Sequence, residues 1–251
     1  IMQMHATLHQ AAMEYYPTTG LSYAAVPYIV GITGACENVD TLFKIGNKQA
    51  VPAFFNQTGQ LALECFQMFS PGVFTIIHSG RDEGIEDERH LLEFSLIEEE
   101  FGWSLVEPDK PFDQRQMFEH LLNRIERAVK YLSGEVIKNN RDHLARYGRN
   151  VNELAEILKF PFLRITYSDA ITLLQQNGYP LLKWGDDLKA EHEQMVVALV
   201  NKLSRESYHG LSNLGDRPVF IMRYPKAIKF FNMGESEGNK ITFDLLKAVT
   251  S

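Results

Sequence analysis

Apolar residues at Met4, Leu8, Ala11, Ala12 and Tyr15 recur at nearly helical spacing and predict a helix over positions 1–15. Pro17-Thr18-Thr19-Gly20 is expected to end it as a turn. The apolar run at 23–30 reads as extended, and Pro27 within it predicts an edge strand or an interrupted one. A short strand is expected at 51–55, followed by a helix at 60–69 with Thr58 as its N-cap. Pro71-Gly72 breaks that helix. Val73-Phe74-Thr75-Ile76-Ile77 then reads as a buried strand, rich in β-branched and aromatic residues. A second strand is expected at 91–101. The polar stretch 81–88 therefore lies between two strands expected to pair antiparallel.

Beyond it, Phe118, Leu121, Leu122, Ile125, Val129, Leu132, Val136 and Ile137 form one apolar stripe within a strongly helical region, 114–147. A short helix is predicted at 152–158 and a strand at 163–167. Ser168 is expected to cap a helix through Gln176 that Gly178 closes, and another helix spans 186–203. Three short strands are expected at 218–224, 228–233 and 241–245. Strands outnumber strand–helix–strand units, which predicts an α+β fold: an antiparallel sheet flanked by helices.

The 251 residues are 45% hydrophobic and 23% charged, an ordinary balance for a globular chain. That length fits a single domain, 1–251, with a helical insertion at about 114–160. No apolar run reaches the roughly 18 residues of a membrane helix, so no membrane partner is expected. Cys36 and Cys65 have no CxxC spacing and read as reduced thiols of a cytoplasmic protein. The net charge of -7 and a pI near 5.6 argue against a nucleic-acid partner, although a local basic patch remains open.

Candidate chemistry concentrates around Arg81, Glu83, Arg89, His90 and Phe94. Adenylate formation needs cations for the α-phosphate and the departing pyrophosphate, and an aromatic face for adenine. Arg81 beside a charged loop supplies the first, and Phe94 on the returning strand supplies the second. A solvated hairpin loop is the alternative. Glu37 by itself reads as a surface carboxylate. Glu191-His192-Glu193 offers no metal site, because adjacent helical residues do not share a face. In the strand, Glu98 and Glu100 share a face that Glu99 opposes.

The order and spacing resemble motif 2 of the class II aminoacyl-tRNA synthetases, asparaginyl and aspartyl branch. Gly80-Arg81-Asp82-Glu83 stands in the place of F-R-A-E, and Arg89-His90-Leu91-Leu92-Glu93-Phe94 matches R-H-L-x-E-F. Thr58-Gly59-Gln60-Leu61-Ala62-Leu63-Glu64 is similar to S-G-Q-L-x-L-E. Gly34-Ala35-Cys36-Glu37 to Leu42-Phe43 is similar to A-C-E…L-F. Pro27 stands where motif 1 places its proline, near a dimer interface. Trp184-Gly185-Asp186-Asp187-Leu188 and Tyr224-Pro225-Lys226-Ala227-Ile228-Lys229 also resemble segments of the branch. By this resemblance Arg81 holds the α-phosphate and is the catalytic residue. Phe94 stacks on adenine, and Glu83, Arg89 and His90 complete the ATP site. Glu37, Gln60 and Glu98 face the amino acid. ATP and Mg2+ are the implied cofactors, and a homodimer is implied.

The family's motif 3 is absent before Ser251, which favours a chain end cut short, and Gly234 stands where a basic residue is usual. The branch's N-terminal anticodon-binding barrel is not among these residues. A freestanding core of this branch resembles the asparagine synthetases related to asparaginyl-tRNA synthetase, which implies aspartate activated as its adenylate and transferred to ammonia; with the acidic charge, a tRNA partner is not expected. Charging of tRNA and a non-catalytic binding paralogue are the alternatives.

Overall fold

The computed structural model describes residues 1–33, 39–46, 48, 51–82, 91–208, 214–229, 234–236, 239–240 and 243–246. The chain divides into two compact units, Ile1–Glu135 and Val136–Ser251. Among the described residues no helix is long and apolar enough to cross a membrane.

The first unit opens with α1 (Met2–Thr18), which buries Ala11, Ala12 and Tyr16. The expected turn at Pro17 comes later than its residues suggest. Pro17 lies in the last helical turn, and the chain leaves the helix at Gly20, whose φ of 85° favours glycine. The run around Pro27 is interrupted, giving β1 (Ser22–Tyr23) and β2 (Ile29–Val30) in different sheets. A 3-10 turn at Val39–Thr41 and β3 (Phe54–Phe55) follow, and β3 pairs antiparallel with β2. Then come α2 (Gln60–Gln67), β4 (Gly72–Gly80), β5 (Glu93–Phe101), α3 (Trp103–Val106) and the long α4 (Gln114–Asn139).

The sheet order is β1-β4-β5, with β4 central. Central placement explains the apolar run at 73–77, since Val73, Phe74 and Ile77 are all buried. β4 and β5 pair antiparallel from Gly72 with Phe101 to Gly80 with Glu93, while β1 joins β4 in parallel. Side-chain alternation then separates two faces. Thr75, Ile77, Ser79, Leu96 and Glu98 face one way, where Ile77 packs with Leu63 of α2 and with Val26. Phe74, Ile76 and Ile97 face the other way and pack with Ala12 and Tyr16 of α1 and Ala128 of α4.

In the second unit, α5 (Arg141–Arg146) and α6 (Val151–Ile157) precede β6 (Leu163–Thr166) and α7 (Tyr167–Gln176). The cap of α7 is Thr166 rather than Ser168: its Oγ1 accepts from the Asp169 amide at 3.1 Å. α8 spans Ala190–Ser207, four residues later than the apolar pattern suggested, because the Asp186 carboxylate accepts the Lys183 amide at 2.7 Å and holds a turn. β7 (Val219–Met222) is fully apolar. Lys226–Ile228 forms a 3-10 turn, and positions 230–233 of the strand expected at 228–233 lie outside the described residues. The chain continues as β8 (Glu235–Ser236), β9 (Asn239–Lys240) and β10 (Phe243–Leu246). The sheet order is β10-β7-β6, antiparallel then parallel. Tyr167, Leu174, Val196, Ile221 and Tyr224 form its core. The fold is α+β, with helices around small sheets.

Candidate active site

The first unit carries the geometry of interest at the open end of the β4–β5 hairpin. Pairing ends at Gly80 with Glu93, and the Arg81 amide adds one more rung by donating to the Leu92 carbonyl at 3.1 Å. Phe94 pairs with Ser79, so it shares the face of Arg81, which is diagonal to it. The Arg81 guanidinium carbon lies 5.8 Å from the Phe94 ring centroid, within cation–π range. One cation and one aromatic face therefore meet at the hairpin's end. Gly80 allows this packing: a Cβ there would stand 2.9 Å from the Leu92 carbonyl oxygen and 3.2 Å from the Phe43 ring.

Gln60 begins α2. Its amide donates to Thr58 Oγ1 at 3.1 Å, and its side chain donates to Glu64 at 2.9 Å. Thr58 thus shapes the turn before the helix, while Gly59 is the N-cap residue. Glu98, which the resemblance places at the amino acid, bonds to the turn before α2. One carboxylate oxygen accepts the Gly59 amide at 2.6 Å, and the other accepts the Thr58 hydroxyl. Glu98 holds the turn that presents Gln60. A carboxylate beside the amides at a helix start is favourably placed.

Beneath lies a polar network that the sequence did not mark. Asn56, Gln57 and Ser79 are buried. Asn56 donates to the Pro27 carbonyl at 2.9 Å and accepts the Thr33 hydroxyl at 2.9 Å. Gln57 donates to the Thr41 carbonyl at 2.8 Å, and the Ser79 hydroxyl donates to the Gln57 carbonyl at 2.7 Å. The only signal available was an Asn-Gln pair directly before the Thr58 turn, and polar residues there read as loop.

The acidic run on β5 splits by face. Burial, followed by the charges of Glu64, Glu98 and Glu99, pushes the Glu100 carboxyl up to about 7. On the opposite face Glu99 accepts from Arg124 at 2.8 Å, with both side chains buried. Burial raises the Glu99 carboxyl, and Arg124 opposes that. Arg124 also donates to Thr19 at 2.7 Å.

Glu37, Glu83, Arg89 and His90 lie outside the described residues. The structure therefore brings together Arg81 with Phe94, and sets Glu98 against the turn that precedes Gln60. Among the described residues, no three His, Cys, Asp or Glu side chains are placed to hold a metal ion.

The second unit has its own ordered segments. Tyr167 donates to the Asp186 carbonyl at 2.6 Å and accepts the Gly185 amide at 3.0 Å, so it fixes the Trp184 turn. The Trp184 indole donates to Ser168 at 3.1 Å. His192 is buried and accepts the Lys189 amide at 3.1 Å, which makes it a helix cap. The Lys229 ammonium lies 4.1 Å from the Tyr224 ring centroid. Arg223 holds a φ of 61° at the end of β7, a left-handed conformation that stores strain.

Residues 1–250 match the family model described as tRNA synthetases class II (D, K and N). The chain is 29% identical over 249 residues to an asparagine–tRNA ligase of Thermoplasma acidophilum, covering 98% of this chain and 51% of that protein. It is 30% identical over 233 residues to the enzyme of the same name from Desulforamulus reducens, covering 93% and 47%. Among solved structures it is similar to asparaginyl-tRNA synthetase from Pyrococcus horikoshii complexed with asparaginyl-adenylate. The TM-score is 0.79, with 28% identity over 98% of this chain and 50% of that one. The chain thus spans about half the length of the curated relatives it matches.

These findings overturn the expectation of an aspartate–ammonia ligase making asparagine, because the relatives are named for joining asparagine to tRNA. The expectation that tRNA is not a partner falls with it. It rested on total charge, and a whole-chain charge does not report the potential of one face. It also rested on a missing barrel, which carries no weight for a chain spanning half its relatives' length.

Proposed function

Given that this chain belongs to the class II tRNA synthetases of the D, K and N type, we propose that it serves ATP-dependent activation of asparagine and its transfer to tRNA. The asparagine carboxylate attacks the α-phosphorus of ATP, pyrophosphate leaves, and a tRNA hydroxyl then takes the asparaginyl group and releases AMP. The observation that carries this reading is the Arg81 guanidinium 5.8 Å from the Phe94 ring at the hairpin's end. The relatives' names supply the amino acid.

In this reading Arg81 binds the α-phosphate and stabilises the charge that builds on it in the in-line transition state. Phe94 stacks on adenine, so one pair of residues binds both ends of the adenylate. Gln60 orients the amino acid, on a turn held by Glu98. Glu37 joins it there, and Glu83, Arg89 and His90 belong to the ATP side. Magnesium, implied by the resemblance, would neutralise the triphosphate; among the described residues no three His, Cys, Asp or Glu side chains are placed to hold it. A homodimer belongs to the same reading, supported by Pro27 at the motif 1 position.

The test is pyrophosphate exchange into ATP with asparagine or aspartate, followed by aminoacylation of tRNA. Exchange that requires asparagine, and tRNA that accepts it, is the expected result. Exchange with aspartate alone would sink the assignment of the amino acid.

A further inference from the structure

Two hydrogen bonds converge on one main-chain oxygen. The Thr41 carbonyl accepts from Gln57 Nε2 at 2.8 Å and from the Asp82 amide at 2.9 Å. A carbonyl oxygen has two lone pairs, and these two donors can occupy both. Gln57 Nε2 also lies 3.2 Å from Thr41 Oγ1, so the side-chain amide grips both oxygens of one residue. Gln57 is only 3% exposed, which leaves its amide little access to water.

Gln57 is itself fixed to the sheet. Its carbonyl accepts the hydroxyl of buried Ser79 at 2.7 Å, and its own amide lies 3.4 Å from Thr33 Oγ1. A continuous chain of bonds therefore runs from β4 at Ser79 through Gln57 and Thr41 to Asp82. Both ends lie on the same strand exit, two residues before and one residue after Arg81. The Arg81 amide is held from the opposite side by the Leu92 carbonyl at 3.1 Å. Main-chain bonds thus hold residues 81 and 82 from two separate segments.

We propose that Gln57 is a positioning residue for Arg81. By fixing the Thr41 carbonyl that holds the Asp82 amide, it sets where the chain leaves β4 and so aims the guanidinium beside Phe94. Gln57 touches no reacting atom in this scheme. The proposal rests on the reading of Arg81 as the α-phosphate cation. Its consequence is specific: loss of the Gln57 amide disturbs the phosphate end of the site. It leaves the Thr58–Gly59–Glu98 turn, and with it Gln60, in place.

The test uses Gln57→Met, which keeps the length and volume without an amide donor. Should that variant not fold, Gln57→Glu keeps the shape and, ionised, also has no donor. Two measurements are made on the full chain. Amide hydrogen exchange at Asp82 is expected to speed up about tenfold, the scale of losing one hydrogen bond, with Leu63 and Phe74 as protected as before. In asparagine-dependent pyrophosphate exchange, kcat is expected to fall on the order of 100-fold, while KM for asparagine stays within about twofold. Unchanged exchange at Asp82 overturns the proposal. So does a rise in KM for asparagine as large as the fall in kcat. A parent protein that lacks exchange activity overturns the proposed function alone, and Asp82 protection still decides the hydrogen-bond relay.

Discussion

Glu98 on β5 accepts the backbone amide of Gly59 at 2.6 Å, and this bond ties the start of α2 to the sheet. The approach needs glycine. A Cβ at position 59 would stand 2.9 Å from the Glu98 carboxylate, 3.1 Å from Thr75 Cγ2 and 3.3 Å from Val26 Cγ2. Gly59→Ala is expected to destabilise the protein by about 1–3 kcal/mol, the usual cost of overpacking a tight site. Urea denaturation measures it. A midpoint equal to that of the parent would show that the turn relaxes freely.

Glu99 and Arg124 form an ion pair whose side chains are only 8% and 4% exposed. Removing one partner leaves a buried charge without its counterion. Arg124→Leu is expected to cost about 3–5 kcal/mol. Replacing both residues by leucine should recover most of that loss, because two apolar side chains need no counterion. A double variant as unstable as the single one would mean that the bond from Arg124 to Thr19, and not the charge pair, carries the effect. Calorimetry on the three variants separates the cases.

Much of this architecture was legible because periodicity reports burial. The 73–77 run became the central strand β4, and the stripe beginning at Phe118 became α4. Element ends were less legible. Pro17 reads as a helix stop, yet the chain turns only at Gly20. The start of α8 is delayed by a side-chain bond from Asp186 that no periodicity encodes. The proximity of Arg81 and Phe94 was legible from their spacing across a hairpin, since antiparallel register makes separation in sequence predict contact. Asn56 and Gln57 were missed because a buried amide network depends on partners 16 to 29 residues away. Total charge could not decide for or against a tRNA partner, because a sum over the chain does not report the potential of one surface.

Glu100 shares its face of β5 with Glu98. Burial, then Glu64, Glu98 and Glu99, lifts its carboxyl from 4.5 to about 7. The folded state thus holds this proton more tightly than the unfolded chain. That contribution to stability is complete below about pH 4.5 and is lost as pH rises through about 7. Glu100→Gln is expected to remove this slope and raise Tm at pH 8 by about 2–4 °C. An unchanged slope between pH 5 and pH 8 in thermal scans, in roughly the range where such a group titrates, would show that Glu100 ionises normally.

His9 behaves in the opposite sense. Burial lowers its proton affinity first, and the neighbouring His5 and His78 lower it further. The three rings lie 4.5 to 6.3 Å apart, with Ser95 hydrogen-bonded to His5 and His78. The fold favours neutral His9, so its contribution is complete above the ordinary value of 6.5 and is lost as pH falls below it. Glu100 gains stability over the same acid range, so the two effects oppose each other. His9→Leu is therefore best compared with its parent in a Glu100→Gln background. The parent should lose Tm below pH 6.5 and the His9 variant should lose less. Parallel curves would remove His9 as the source.

Arg81 supplies the cation at the hairpin's end, and its fork geometry matters as well as its charge. A guanidinium can donate two parallel hydrogen bonds to phosphate oxygens and still lie over an aromatic ring, whereas an ammonium is a point charge. Arg81→Ala is expected to lower asparagine-dependent pyrophosphate exchange by about 10²–10³-fold, the scale for removing one donor from a developing anion. Arg81→Lys should recover only a small part of that. Because Arg81 is only half-buried and its strand ends at Gly80, both variants should melt within a few degrees of the parent. Full exchange activity in Arg81→Ala, with asparagine still required, would move the phosphate cation to another residue. It would also leave the cation–π contact with Phe94 as a purely structural one.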